Sequence, residues 1–459
     1  MNNNLQFPES FRFGVADADL QVIGEDFTQK EEDSLPTIWD HFSRNSKKVH
    51  KNQTPGLGID RYHHWQEDIE IMKKMGVKHY RTSISMSRIL KENGNVNKKA
   101  IKWYTDYFKT LKAAGINIYA TLYHWELPQY IQEKGGWKER TTIDYFVQHA
   151  KYVTKYLGEY ITEYFLINEP WCASILSYAL GIHAPGETNL KHALLASHNL
   201  LLAIAAGFEA IREIDNTAKI STVFNLEATY ASSLNEKDII ARTYGDGYFN
   251  RWFTDPIYLG KYPEKMVAFY ADSMPKINKS DMDAIKVGAK LHAFGLNYYC
   301  GKIVKYDPNN LFKFQPVYMK QGEKNDLGWP IFTPPHYPEG LYDMIRQTYF
   351  TYKTHGLKRI YITENGMALK TELKDETIND QKRINYYKEH LRQVHKACLS
   401  GIPIESYFAW TLMDNYEWAE GYRPKSAFGL IHVDRKTMKR TWKKSAFWYK
   451  DVIKNHSLK

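Results

Sequence analysis

Two glutamates end apolar runs where core packing alone does not call for a charge. Phe165, Leu166 and Ile167 lead into Asn168 and Glu169 within "FLINEPW", and "YITENG" runs into Glu364 and Asn365. A facing pair of carboxyl groups can cleave an acetal: one protonates the leaving oxygen while the other attacks the anomeric carbon or activates a water. The two must titrate apart, because like charges held close together resist joint ionisation. Arg81, in "HYRTSI", is a cation able to keep one carboxylate ionised and leave the other its proton. Trp410 and Trp418 offer flat apolar faces to sugar C–H groups, and nearby amides offer hydrogen bonds to hydroxyls.

Such groups need elements that bring them to one place, and the chain repeats one rhythm. "WQEDIEIMKKMG" sets Trp65, Ile69 and Met72 on one helical stripe, and "IKWYTDYFKTLKAAG" does so with Ile101, Tyr104, Phe108 and Leu111. "YFVQHAKYVTKYLG" gives Phe146, Ala150, Val153 and Leu157, and "INYYKEHLRQVHKACLSG" gives Ile384, Tyr387, Leu391 and Val394. A glycine (Gly76, Gly115, Gly158 or Gly401) follows each, where a left-handed residue ends a helix most easily. A strand-like run comes next: "VKHYRTSI", "INIYATLY", "EYFLINE" and "IESYFAW". "FRFGVA", "KISTVFNLE", "HAFGLNYY" and "RIYITENG" complete eight strand candidates, nearly continuous in apolar residues as parallel strands buried on both faces are. The expected fold is α/β, one (β/α)8 TIM barrel with long βα loops over residues 1–459, with an open doubly wound sheet as the alternative.

In a barrel the chemistry sits at the C-terminal strand ends, and here those ends are polar. They carry Gln21; Arg81; His124, Trp125 and Glu126; Asn168 and Glu169; Asn225 and Glu227; Asn297 and Tyr299; Glu364 and Asn365; and Trp410, Asp414, Glu417 and Trp418. One polar residue at a strand end only marks where the strand meets water. Together they suit a single polar, aromatic pocket. Competing chemistries lack their residues: the adjacent His63 and His64 point apart at a helix start, no strand end bears a lysine, and no G-x-S-x-G elbow occurs. Cys172 is read as a packed thiol rather than a nucleophile. No metal or cofactor is expected.

At 459 residues, 43% apolar and 25% charged, the chain shows no stretch approaching the roughly 18 uncharged apolar residues of a membrane span. No membrane partner is expected. The formal charge of +10 is densest in "DRKTMKRTWKK", which reads as a solvated face rather than a nucleic-acid surface. "MNNNLQFPES" lacks the parts of a secretion signal, and three scattered cysteines make no disulfide framework, so a cytoplasmic protein is expected. A homo-oligomer is compatible with the chain.

Read in order, "FPESFRFGVA", "YHWELPQYI", "NEPW", "NYY", "YITENG", "WTLMDNYEWAEGY" and "RTWKKSAFWY" resemble glycoside hydrolase family 1, the β-glucosidase family. The resemblance implies a (β/α)8 barrel and a retaining hydrolase of small β-glycosides or oligosaccharides. It makes Glu169 the general acid/base and Glu364 the nucleophile. Gln21, His124, Asn168, Trp410, Glu417 and Trp418 match positions that hold the non-reducing sugar, with Asn297 in the same shell. Arg81 and Tyr299 match groups that orient the nucleophile. Trp171 and Trp329 match aromatic positions near the leaving group, whose rim also includes Phe428.

The Glu417–Trp418 pair implies an unphosphorylated sugar, since a carboxylate at the 4- and 6-hydroxyls repels a 6-phosphate. Glucosides are expected first, with galactosides and fucosides also in range. The chain departs from the family's pattern at Asp17 and Asp19, expected near the sugar, and at Met86 in "SISMSR". "GWPIFTPPHYPEGL" and "YRPKSAFG" are longer than usual, which bears on the leaving-group rim. The two aspartates motivate an alternative, a catalytically silent sugar-binding protein on the same barrel.

Overall fold

All eight strand candidates pair in parallel in the computed structural model, which describes residues 5–24, 34–317, 337–372 and 378–458. They are Arg12–Ala16 (β1), His79–Ser83 (β2), Asn117–Tyr123 (β3), Ile161–Asn168 (β4), Ile220–Asn225 (β5), Phe294–Asn297 (β6), Ile360–Asn365 (β7) and Ile404–Trp410 (β8). β8 returns to β1 with Trp410 beside Ala16, and β6 meets β7 with Asn297 beside Glu364, so the sheet closes into a barrel. The outer layer holds Arg61–Met75 (α1), Lys98–Ala113 (α2), Thr141–Leu157 (α3), Leu190–Ile214 (α4), Trp252–Leu259 (α5), Pro338–Tyr352 (α6), Gln381–Leu399 (α7) and Lys444–Asn455 (α8), each after its strand.

The near-continuous apolar runs follow from burial on both faces. Tyr119, Phe165, Val223, Tyr361 and Phe408 fill the barrel interior. Their neighbours Leu166, Ile362 and Tyr407 belong to the outer core shared with the helical stripe of Phe146, Ala150, Val153 and Leu157. Gly76, Gly115 and Gly401 take the left-handed conformation at their helix ends. Gly158 differs: its φ is −55° and the chain continues into a short 3₁₀ turn, Gly158–Tyr160. There a Cβ would lie 2.9 Å from the Tyr164 hydroxyl, so glycine provides room rather than handedness.

Helix α4 is long and apolar enough to cross a membrane by length and composition, although Lys191, Glu209 and Arg212 interrupt its sequence. Of its most apolar stretch, 83% is buried inside the protein, which marks a core helix. The basic stretch is also partly internal. Arg440 pairs with buried Asp68 at 3.1 Å, Lys443 is buried with its Nζ 2.6 Å from Asp414, and Arg435 lies 3.8 Å over the Tyr422 ring. Those charges lock the Ile431–Val433/Arg440–Trp442 hairpin onto the barrel instead of forming a uniformly solvated face. The thiols of Cys172, Cys300 and Cys398 are free.

Loops at the C-terminal barrel end carry structure of their own. Ala228–Ala231, Gly301–Tyr306 and Phe314–Pro316 form a three-stranded sheet from the chain that follows β5 and β6. Residues 318–336 lie outside the described residues, and with them Trp329 and nearly all of the longer 330–338 link.

Candidate active site

Barrel registration brings the strand-end residues together. β5 and β6 align Asn225 with Asn297, and β7 sets Glu364 beside Asn297 on the other side. Arg81 rises from β2, and its guanidinium lies 5.6 Å from the centre of the Phe165 ring in the barrel interior. From there its two terminal nitrogens reach different partners: Nη1 donates to Glu364 Oε1 at 2.6 Å, and Nη2 to Asn168 Oδ1 at 2.7 Å. The Tyr299 hydroxyl donates to the other oxygen, Glu364 Oε2, at 2.6 Å. Both oxygens of Glu364 are thus held by donors, one of them cationic.

Glu169 has different company. Asn297 Nδ2 donates to its Oε1 at 2.7 Å, and the Cys172 thiol donates to its Oε2 at 3.0 Å. Among the described residues no cation touches it directly. Burial first, then the neighbouring Glu364 charge, push its carboxyl up to about 8. Burial pushes Glu364 up as well, but Arg81 and Tyr299 act against that. The environments therefore separate the pair: Glu364 is the group stabilised as a carboxylate, and Glu169 the group that keeps a proton. Asn297 Nδ2 donates to Glu169 and also, at 3.2 Å, to Asn168 Oδ1, with its own Oδ1 fixed by the Thr363 hydroxyl at 2.6 Å.

Other polar groups point into the same space without partners. His124 Nε2 accepts from Asn168 Nδ2 at 3.2 Å, and burial and Arg81 drive its ring well below the usual imidazole range, so it is neutral. That leaves Nδ1–H as its free donor, and Nδ1 has no partner among the described residues. Gln21 Oε1 and Glu417 Oε2 are likewise buried and unpaired, while Gln21 Nε2 donates to the Tyr416 carbonyl at 2.6 Å. Unpaired buried polar atoms each cost about 1–3 kcal/mol, so those of His124 and Glu417, which line one cavity, await something polar. Glu417 is pushed well above the carboxylate range by burial and by Glu364, Glu420 and Glu169.

Aromatic rings enclose the cavity, which measures about 360 Å³ and includes His124, Glu169, Asn297, Tyr299, Glu364, Trp410, Glu417 and Trp418 in its lining. His124 stacks with Trp410 and Trp418, with ring centres 5.7 and 6.0 Å apart. Trp125 packs 4.7 Å from Trp418, and its Nε1 donates to the Asn168 carbonyl at 3.1 Å. Trp125, Glu169 and Trp418 all have left-handed backbone, φ 66°, 49° and 48°. Non-glycine residues there are strained by about 1–3 kcal/mol each, and such strain gathers at functional sites.

Several expected positions lie elsewhere. Asp17 accepts from Arg61 Nη1 at 2.6 Å and from the Tyr80 and Thr82 hydroxyls, and Asp19 accepts from Tyr104 and the Ser85 backbone. Neither lines the cavity. Glu126 is buried on Ser85 Oγ at 2.6 Å, Asn365 holds the Tyr298 carbonyl and the Tyr386 and Tyr407 hydroxyls, and Asp414 holds Lys443. These three brace the strand ends from below. Met86 is buried. Phe428, expected at the rim, does line the cavity, 2% exposed and packed edge-on to Tyr299. Trp171 lines the cavity with Leu176, Ile182 and His183. Trp125, expected at a strand end, lines the cavity, whereas His183 and Lys302 line it without any signal in the sequence.

Cys172, read as a bystander, touches the acid. Burial and the Glu169 charge keep its thiol protonated, so it serves as a donor and not a nucleophile. A donor to the ionised form lowers a carboxyl's pKa. In Cys172→Ala the ionised form of Glu169 therefore loses support and its pKa rises. The alkaline limb of the kcat/KM profile should move to higher pH, by a small step because a thiol donates weakly. A limb that stays in place or moves to lower pH contradicts this role.

The comparisons agree with that geometry. The family model for glycosyl hydrolase family 1 matches residues 3–458. Beta-glucosidase A of Acetivibrio thermocellus is 38% identical over 458 residues, 99% of both chains, and a bifunctional beta-D-glucosidase/beta-D-fucosidase of Bifidobacterium breve is 32% identical over 98% of this chain and 99% of its own. A Thermotoga maritima family 1 glycoside hydrolase, solved with a cyclophellitol analogue transition-state mimic, superposes with a TM-score of 0.94 at 38% identity, covering 100% of both chains. Barrel, paired carboxyls and end-to-end similarity agree, and the chain belongs to glycosyl hydrolase family 1.

Proposed function

We propose that this chain is a retaining β-glycosidase that removes a terminal, unphosphorylated β-D-glucosyl residue from small glycosides, with galactosides and fucosides as secondary substrates. The observation that carries the reading is the unequal treatment of two buried carboxyls at the floor of a cavity ringed by unpaired polar atoms. Glu364, ionised by Arg81 and Tyr299, attacks the anomeric carbon as Glu169 gives its proton to the departing oxygen. The bond from anomeric carbon to leaving oxygen breaks as the ester to Glu364 forms. Glu169, now ionised, takes a proton from water as that water attacks the same carbon and frees Glu364.

His124 Nδ1, Gln21 Oε1 and Glu417 Oε2 find partners in sugar hydroxyls, and the tryptophans cover the C–H faces. The exclusion of a 6-phosphate is sharpened by the cavity's charges. Glu417 is pushed toward its neutral form, so simple repulsion carries less of the discrimination. The charges of Glu364 and Glu420, which act on Glu417 as well, add to the unfavourable setting for a phosphate. The silent-binding alternative loses its basis, because Asp17 and Asp19 are engaged in a buried network away from the cavity. A panel of aryl β-glycosides tests the reading. Glucoside turnover should exceed that of the 6-phosphoglucoside by about 100-fold or more, and a preference for the phosphorylated form, or binding with no turnover of any member, would overturn it.

A further inference from the structure

The N-terminal end of the barrel, opposite the catalytic cavity, holds a recess of about 430 Å³. Its walls are the starts of β1 and β2 and the C-terminal ends of α1 and α8, which bring Arg12, Lys73, Lys74, Lys78, Lys450 and Lys454 around one space. Among the described residues Glu9 is the only carboxylate in that lining. Arg12 pairs with Glu405 and Lys73 with Glu70, at 2.5 and 2.6 Å. The other lysines pair with no carboxylate among the described residues; Lys450 Nζ lies 6.0 Å from the centre of the Trp442 ring. Phe11, Met75 and Ile453 form an apolar floor. The positive field reaches the lining itself: burial first, then Arg12 and His456, push the His79 imidazole down to about 4.

Lysines in a last helical turn complement the helix dipole, and that accounts for Lys73, Lys74 and Lys454. It does not account for Lys78, which leads into β2, or for Lys450, which lies before the last turn of α8. Elsewhere on the surface lysines have acidic partners close by in sequence, as in Lys102–Asp106 and Lys261–Glu264. Unneutralised ammonium groups set around a concave space repel one another and raise the local potential, and an anion that enters relieves both. The ammonium is a compact point charge suited to phosphate oxygens. A single phosphate would engage one corner of the recess, whereas linked phosphates can meet several of the lysines at once. A long nucleic-acid duplex would rest on the rim and leave the recess unfilled.

We propose that this recess binds a compact polyphosphate anion, either free inorganic polyphosphate or the phosphate tail of a nucleotide, at the end of the barrel remote from catalysis. Titration calorimetry with tripolyphosphate, ATP and adenosine, at about 0.1 M salt where distant charges are screened, tests it on three proteins. These are the intact chain, a Lys74→Gln/Lys78→Gln/Lys454→Gln variant, and a Lys102→Gln/Lys261→Gln/Lys290→Gln control that removes the same charge from exposed positions elsewhere. Tripolyphosphate should saturate one site on the intact protein and on the control, and its affinity should fall about 10-fold or more in the recess variant. ATP binding tighter than tripolyphosphate assigns the site to a nucleotide whose ring uses the apolar floor, and ATP binding no tighter assigns it to free polyphosphate; adenosine alone should not bind. Equal affinity in the two variants, no saturable binding of either anion to the intact protein, or displacement of tripolyphosphate by a DNA duplex of higher affinity would overturn the proposal. Aryl glucoside turnover should be the same in all three proteins, which shows that each is folded. Should the recess variant fail to fold, Lys74→Gln alone is judged by the same comparison.

Discussion

Glu364→Ala should be almost inert, its kcat reduced by about 10⁴–10⁶-fold for every glycoside, whatever the leaving group. The loss is general because the covalent step itself is removed. Neither Arg81 nor Tyr299 can replace the missing carboxylate; both only donate toward the place it occupied. Removing the carboxylate also takes the anion from Arg81, but Asn168 Oδ1 continues to hold its other nitrogen, and the fold should survive. Circular dichroism matching the parent, with turnover at the detection limit, is the expected pair of results. Residual activity within about 100-fold of the parent would place the nucleophile elsewhere.

Glu169→Ala should show a different pattern, one that depends on the leaving group. For alkyl glycosides and disaccharides, which need a proton as they depart, activity should fall by about 10²–10⁴-fold. For activated aryl glycosides the glycosylation step needs little help, so the fall should be much smaller and the slow step should become release of the glycosyl-enzyme. Azide, which attacks without a general base, should restore turnover and give a β-glycosyl azide. The alkaline limb of the pH profile should disappear with the carboxyl that produces it, since activity in the parent is lost as pH rises through the Glu169 pKa. Equal losses for good and poor leaving groups would contradict the acid/base role.

Much of this was legible before any coordinates. The eight barrel strands could be read because each is apolar on both faces and follows a helix with a clear stripe, a pattern that local sequence carries in full. Glu169 and Glu364 were legible for a related reason, as charges ending runs that otherwise have no polar side. The misreadings share a cause. Glu126, Asn365 and Asp414 look like cavity residues in the sequence because they follow a strand, yet each turns toward hydroxyls or a lysine supplied by distant chain: Ser85, Tyr386 and Lys443. Asp17 appeared to face the sugar because Arg61, its partner, lies well along the chain. The contact of the Cys172 thiol with Glu169 also exists only through tertiary placement. Strand position is a local property, whereas the direction a side chain takes beyond the strand end depends on which partner the fold brings to it.

In this mechanism Glu364 carries the sugar between the two halves of the reaction. A 2-deoxy-2-fluoro glucoside with an activated leaving group tests it most directly, because the fluorine slows release more than formation of the intermediate. Intact-mass and peptide analysis should find one added 2-fluoroglucosyl group, located on Glu364. Label on another residue, or steady turnover with no label at all, would contradict the claim.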